Sequence, residues 1–468
     1  MPPEPAGGNL AALGLIQAFR MAASTGVSVL VMRLAGVEGF GIYGYVSILV
    51  GLLSFATSMG LDRLLKRELA RAPERGPALV STGVVSVALL SMGSGVAVVG
   101  WVWLVDGREV VVVSASLAAL AVALQGVATV PSSYFHAIRQ MWHGVLPSLA
   151  GRVVFVVVAA ALLAGGLDVR GVFFASALDG AVTLGGVAVA YRRLGQRWAA
   201  TSVAATRALL RESIPFGLNG LFGNIYLNAD VLLLAWMRDD TEVGIYRAAV
   251  MLVALFPLVA ETFTQGLYPR MARHLGNREA ATGELRFAAR VLLAVSLPAA
   301  VGALLTAAPL MVFLGGEEFA ASALPFMLMA PLLPLRFLNN GYAMTLSALD
   351  RQGDRTRGVS LAAAFNVLVN ILVIPRWGAV GCAAVTLATE ILLWGWFRWR
   401  SAGLVGDIGL KTILIRVASA CAGMAVVVEF VPQVHVVLTI LAGVVAYCSL
   451  AFATGALRRD DLRQLRRV

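Results

Sequence analysis

The sequence predicts an all-α, polytopic membrane protein with about 14 transmembrane helices, and three observations predict it. Apolar residues gather in long blocks separated by short polar gaps, and lysine and arginine crowd into every second gap. Charged residues make up only 13% of the 468 positions while hydrophobic ones reach 59%. Soluble domains carry about 25% charged residues, so no water-soluble domain fits into this chain. The blocks cover residues 10–32, 40–61, 82–103, 110–130, 146–163, 171–190, 214–237, 245–267, 291–314, 321–349, 359–374, 380–396, 413–431 and 436–457. Most reach the roughly 17–25 residues that a helix needs to cross about 30 Å of hydrocarbon. Open strands cannot replace them, because lipid offers no partner to a sheet edge.

In chain order, residues 1–8 lack a basic n-region and no small-residue cleavage site follows, so the first block is expected to be a retained helix. The second opens on Gly41-Ile42-Tyr43 and leads into Arg63, Lys66, Arg67, Arg71 and Arg75. Blocks three and four are separated by a short gap holding Arg108; blocks five and six, with Pro147 near the start of the fifth, end at Arg192, Arg193 and Arg197. The seventh opens on Pro215-Phe216 and the eighth on Gly244-Ile245-Tyr246. Pro257 and Pro298 are expected to interrupt blocks eight and nine, and Pro331 and Pro334 to break block ten, because each proline frees a carbonyl within a helix. The first six blocks hold little beyond Pro147, so the second half is the more deformable by this reading. Ile374-Pro375 and Gly378 punctuate blocks eleven and twelve, and a basic tail follows block fourteen.

Arg33, Arg108, Arg170, Arg238 and Arg376 alone stand in odd gaps; Arg20, Arg152, Arg247, Arg290, Arg336 and Arg416 stand at or inside blocks; every other lysine or arginine falls in an even gap or the tail. Basic residues favour the cytoplasmic side, so both termini are expected there. A miscount by one helix would scramble this alternation. The net charge of +11 is therefore read as orientation and contact with anionic lipids, not as nucleic-acid binding. Cys382, Cys421 and Cys448 lie inside blocks without a CxxC, which argues against a disulfide framework or a thiolate metal site.

Gly41-Ile42-Tyr43 and Gly244-Ile245-Tyr246 are six blocks apart, and in register Leu49-Val50 matches Leu252-Val253. An even separation points both halves the same way through the membrane. This predicts two six-helix lobes related by a parallel repeat plus two extra C-terminal helices. The expected divisions are 1–195, 196–400 and 401–468.

Leu34-Ala35-Gly36 with Phe40-Gly41-Ile42-Tyr43, Gly60-Leu61-Asp62-Arg63, Pro215-Phe216 with Asp230, Gly244-Ile245-Tyr246, and Asn366 to Asn370 running into Ile374-Pro375, Gly378 and Gly381 form an ordered series. In these residues the chain resembles the polysaccharide-transporter branch of the multidrug/oligosaccharidyl-lipid/polysaccharide exporter superfamily, which includes the O-antigen type flippases. The resemblance implies a transporter, not an enzyme, in the bacterial inner membrane. It implies a polyprenyl-diphosphate-linked glycan as cargo, moved by alternating access of the two lobes. A polysaccharide polymerase and export machinery would be its partners.

Ionisable side chains in mid-span cost at least about 2.5–3.5 kcal/mol and normally face a cavity or one another. Arg20, Asp179 and Arg336 sit near the middle of blocks one, six and ten; Asp230, Arg247, Glu261 and Glu390 lie in blocks seven, eight and twelve. A guanidinium presents a planar fork that suits a diphosphate, so Arg20, Arg336 and Arg247 are candidate substrate ligands. Arginines of the first and eighth spans are also the ones that relatives use. Mutual neutralisation by Asp179, Asp230, Glu261 or Glu390 is the competing reading, and the same acids are candidates for ion coupling. Asn224, Asn228, Asn366 and Asn370, each pair one turn apart, are candidate cavity-lining groups or interhelical hydrogen bonds. No cofactor is expected, since no phosphate-binding loop or HExxH occurs; a proton or sodium gradient stays open as the driving force. A cation-coupled multidrug exporter is the runner-up, opposed by the fourteen spans and central arginines. A membrane-embedded glycan polymerase or ligase would need a long extracytoplasmic loop, and every odd gap is short.

Overall fold

The structure, a computed structural model, describes residues 6–71, 75–430, 435–457, 461 and 464; the side chains of residues 6–18, 63, 70 and 214–227 fall outside that description. Among the described residues the elements are helices and turns, with no strand. They are α1 (Ala6–Ser58), α2 (Leu61–Arg71), α3 (Gly76–Val105), α4 (Glu109–Ala137), α5 (Trp142–Ala164), α6 (Val169–Arg193), α7 (Val203–Met237), α8 (Asp240–Val253), α9 (Pro257–Ala272), α10 (Arg278–Gly315), α11 (Ala323–Met329), α12 (Leu332–Ala348), α13 (Gln352–Ser401), α14 (Leu410–Phe430) and α15 (Val436–Ala453).

Among the described residues, eleven helical stretches are long and apolar enough to cross a membrane. Two of these, Phe19–Ser58 and Gln352–Ser401, each hold two spans joined where Gly36 and Gly378 take the left-handed φ values 69° and 49°. α7 supplies the remaining span, of which Asn228–Met237 registers as a shorter apolar helix. The fourteen spans read from the sequence are thus present.

The prolines behave in two ways. α8 ends at Val253 and α9 starts on Pro257, and α11 ends at Met329 with α12 starting just after Pro331, so spans eight and ten are broken as expected. Span nine is not: α10 runs continuously through Pro298 and Pro309. The carbonyl that Pro298 frees, that of Ala294 one turn earlier, instead accepts a 2.7 Å hydrogen bond from the Tyr447 hydroxyl of α15. A neighbouring helix has replaced the missing N–H, which is how lipid-embedded helices tolerate proline. Nor is the first half free of interior proline, since α4 continues past residue 130 and contains Pro131.

The chain divides into two compact units, Met1–Leu232 and Leu233–Val468. The expected boundary at 195/196 lies within the first of these, and α14 and α15 are built into the second, where α10 packs against both. In unit one, α6 packs along α4 and α5, with α1 against α3, α4 and α5. One apolar cluster there joins Leu61, Leu64, Leu65 and Leu69 of α2 to Val130, Tyr134 and Phe135 of α4 and to Tyr191 of α6. The sequence reading treats residues 62–75 as a basic loop; there α2 is an amphipathic helix with leucines buried at helical spacing and Lys66, Arg67 and Arg71 exposed. In unit two, one cluster runs from Leu267 and Leu292 through Phe337, Tyr342 and Phe397 to Val417, Met424 and Tyr447.

Candidate functional site

Unit one encloses a cavity of about 530 Å³. At the end nearest the basic loops it is lined by Asp62 and Lys66 of α2, His136 of α4 and Met141; farther in come Gln125, Thr129 and Ser132 of α4, Gly144 and Ser148 of α5, and Arg20, Asp179 and Thr183. The polar wall follows from helical period. Gln125, Thr129, Ser132 and His136 fall four, three and four residues apart, Asp179 and Thr183 four apart, and Asp62 and Lys66 four apart, so each set shares one helix face.

Asp179 organises the deep end. It is buried at 4% exposure, its Oδ1 accepts from the Thr183 hydroxyl at 3.2 Å, and its Oδ2 lies 3.4 Å from the Arg152 guanidinium of α5. Arg152 in turn rests 5.0 Å from the Phe155 ring centre, and its buried Nε has no hydrogen-bond partner among the described residues. Gly151 makes this packing feasible, because a Cβ there would collide with the Asp179 carboxylate and the Thr183 hydroxyl and lie 2.7 Å from the Asp179 carbonyl. Arg20 is exposed into the cavity, feels the charges of both Arg152 and Asp179, and makes no hydrogen bond or ion pair among the described residues. Two guanidinium groups thus share one carboxylate at this depth, which leaves Arg20 the less neutralised of the two. Such a group holds donors ready for an oxyanion.

Unit two brings together other residues singled out in the sequence. Arg336 donates from Nε to Glu390 Oε1 at 2.9 Å, and Asn339 donates from Nδ2 to Glu390 Oε2 at 2.7 Å and to the Glu390 carbonyl at 3.2 Å. The break before α12 places Arg336 and Asn339 one turn apart facing α13. Asn370 donates to Asn366 Oδ1 at 3.1 Å, and Asn366 donates to the Thr389 hydroxyl at 3.2 Å, so these amides form an interhelical network. Glu261 is exposed on α9 and accepts from Gln265 at 3.2 Å. Asp230 is half-buried and accepts from the Val231 N–H at 2.9 Å; Asn228 and Arg247 are half-buried and engaged. The Asn224 side chain lies outside the described residues. Of the residues that line this cavity, the sequence singles out Arg20 and Asp179 and leaves His136 and the polar stripe of α4 unremarked. The spacing of Gln125, Thr129, Ser132 and His136 was the available signal.

Comparison with known proteins follows the same lines. The profile of the family described as polysaccharide biosynthesis protein matches residues 6–275. A probable low-salt glycan biosynthesis flippase, Agl15, of Haloferax volcanii is 20% identical over 359 residues, 76% of this chain and 74% of that one. Among solved structures, the lipid II flippase MurJ in an inward closed conformation superposes with a TM-score of 0.71 at 11% identity, covering 94% of this chain and 97% of the other. An inward-facing multidrug resistance transporter of the MATE family superposes with a TM-score of 0.64 at 14% identity, covering 85% of this chain and 98% of the other. The two solved structures share the fold of this chain.

Proposed function

The chain belongs to the polysaccharide biosynthesis protein family, and from that premise we propose that it is a flippase for a polyprenyl-diphosphate-linked oligosaccharide. In this reading it works in the bacterial inner membrane, with both termini cytoplasmic, and carries undecaprenyl-diphosphate-linked glycan from the inner to the outer leaflet by alternating access. The observation that carries the reading is the cavity of unit one, where Arg20 stands beside the Arg152–Asp179 pair and its guanidinium makes no hydrogen bond among the described residues. A diphosphate is the fixed charge of such a cargo, and an arginine fork matches it in two hydrogen bonds. Gln125, Thr129, Ser132 and Ser148 supply neutral donors and acceptors for sugar hydroxyls on the same wall. At the basic-loop end Lys66 adds one cation beside Asp62, and His136 adds an imidazole able to hydrogen-bond a passing phosphate. The names of the Haloferax relative and of MurJ, both flippases, agree with this assignment.

Deleting the gene tests it. In a strain without a redundant flippase, lipid-linked oligosaccharide should accumulate on the cytoplasmic leaflet and surface glycan should be lost. Normal surface glycan with a changed sensitivity to toxic cations would select the multidrug-exporter reading instead.

A further inference from the structure

A second cavity, of about 360 Å³, lies in unit two at the basic-loop ends of α10, α14 and α15. Its wall is built from Arg286 and Arg290 of α10, Thr412 and Arg416 of α14, the turn at Asp407 and Gly409, and Gly455 after α15. The three arginines are held differently. Arg286 is fixed by the chain itself, donating from Nε to the Ile408 carbonyl at 3.2 Å and from a terminal nitrogen to the Asp407 carbonyl at 2.9 Å. Arg290 donates to Asp461 Oδ1 at 2.8 Å, and that aspartate is only 2% exposed. Arg416 is half-buried, a terminal nitrogen of its guanidinium lies 4.0 Å from where a Cβ on Gly455 would stand, and that guanidinium makes no hydrogen bond or ion pair among the described residues. The lining's own acid, Asp407, turns its Oδ1 back onto the Gly409 N–H at 2.9 Å. Three arginines therefore meet in one cavity that contains a single lining carboxylate, two of them held by the chain, and among the described residues the Arg416 guanidinium has no carboxylate at ion-pair distance.

We infer that this cavity between α10, α14 and the end of α15 is a site for one phosphate group, with Arg416, Arg286 and Thr412 as its ligands. Guanidinium forks match phosphate oxygens bidentately and are weakly hydrated, so half-burial costs them less than it would an ammonium. The volume is several times the ~30 Å³ share of one water, enough for a phosphate and part of its ester backbone. Position argues for the phosphate of an anionic phospholipid headgroup. Arg416 lies six residues, or about 9 Å, inside the start of α14, on the side where basic pockets between spans face anionic lipid. The inference is independent of the cargo, because all of its residues lie in unit two and none of them lines the cavity around Asp179.

The test uses the full chain, purified in detergent and delipidated. Equilibrated with mixed micelles of phosphatidylglycerol and phosphatidylcholine and examined by native mass spectrometry, the wild type should retain phosphatidylglycerol preferentially. Arg416→Gln should weaken that retention about tenfold, the size expected for one charged hydrogen-bonding group, and the exposed Arg192→Gln control should leave it unchanged. Inorganic phosphate added alone, read as a rise in melting temperature, separates the sources: an Arg416-dependent rise without lipid retention supports the site and assigns it to a soluble phosphate. Equal behaviour of wild type and Arg416→Gln in both arms overturns the inference. Where Arg416→Gln fails to accumulate, Arg416→Lys, which keeps the charge and loses the fork, serves in its place: weaker retention than in Arg192→Lys supports the site, and equal retention overturns it.

Discussion

Arg20 and Arg336 look alike in the sequence, each an arginine near the middle of an apolar block, and the structure gives them different surroundings. Arg336 has Glu390 at 2.9 Å and shares it with Asn339, whereas Arg20 faces a cavity with no partner of its own among the described residues. Removing one member of a buried ion pair strands the other in a medium that solvates it poorly, at a cost on the order of 3 kcal/mol. Arg336→Ala should therefore lower the melting temperature and the accumulated amount of protein, and Glu390→Gln on that background should recover most of both. A stable Arg336→Ala protein that is merely inactive would return Arg336 to the list of substrate ligands. The sequence could supply residue type and depth but not partner, because partner choice between helices depends on rotation about each axis, and a one-residue shift turns a side chain by about 100°. For the same reason Arg152, which the sequence places in block five without a partner, emerges as the partner of Asp179.

At the scale of the element, tertiary contacts decide whether a proline breaks its helix. Pro257 and Pro331 coincide with breaks, while Pro298 is absorbed because Tyr447 donates to the Ala294 carbonyl. Tyr447→Phe should leave that buried carbonyl unpaired and cost about 1–2 kcal/mol. The same change made in Pro298→Ala should cost less, since alanine restores the N–H one turn below. A double-mutant cycle on melting temperature reads the difference, and purely additive effects would contradict the account. The turn between α3 and α4 gives a second case. Arg108 donates to both Asp106 oxygens, at 2.7 and 2.8 Å, and these hydrogen bonds hold the Asp106 carboxyl below the usual carboxylate range. A depressed folded value contributes stability that is fully present above the unfolded pKa of about 3.9 and is lost as the pH falls through the folded one. Asp106→Asn should thus lower stability by a constant amount, no more than about 1 kcal/mol for so exposed a pair, from about pH 8 down to 5. The gap to wild type should close toward about pH 3. A gap that widens in acid would show that the interaction had been assigned the wrong sign. Helix existence was legible from block length and from the charge alternation, and Pro257 and Pro331 marked two breaks; the continuity of α10 through Pro298, the left-handed turn at Gly378 and the amphipathic α2 were not legible. The clamp at Gly378 is a long-range contact, the Glu242 carboxylate accepting the Ala379 N–H at 2.6 Å. The leucines of α2 are outnumbered by its charges when averaged over a window.

For the whole molecule, the alternation of basic gaps predicts sidedness as well as count. On a cysteine-free background, which requires replacing Cys382, Cys421 and the exposed Cys448, single cysteines at Glu109 and Glu317 should react with an impermeant thiol reagent from outside the cell. Those at Gln196, Asn277 and Gln352 should react only after permeabilisation. Two consecutive loops labelling from one side would refute the fourteen-span topology. The central claim is narrower: this chain moves a lipid-linked glycan, and Arg20 receives its diphosphate. The direct measurement is transbilayer movement of a fluorescent polyprenyl-diphosphate-linked oligosaccharide in proteoliposomes, followed by quenching from outside. The account predicts that wild-type protein accelerates the exchange, that Arg20→Ala is as stable as wild type and accelerates nothing, and that Arg20→Lys recovers only part of the rate because an ammonium lacks the two-bond fork. Equal exchange with and without the protein would contradict the flippase assignment, and equal rates for wild type and Arg20→Ala would remove Arg20 from its mechanism.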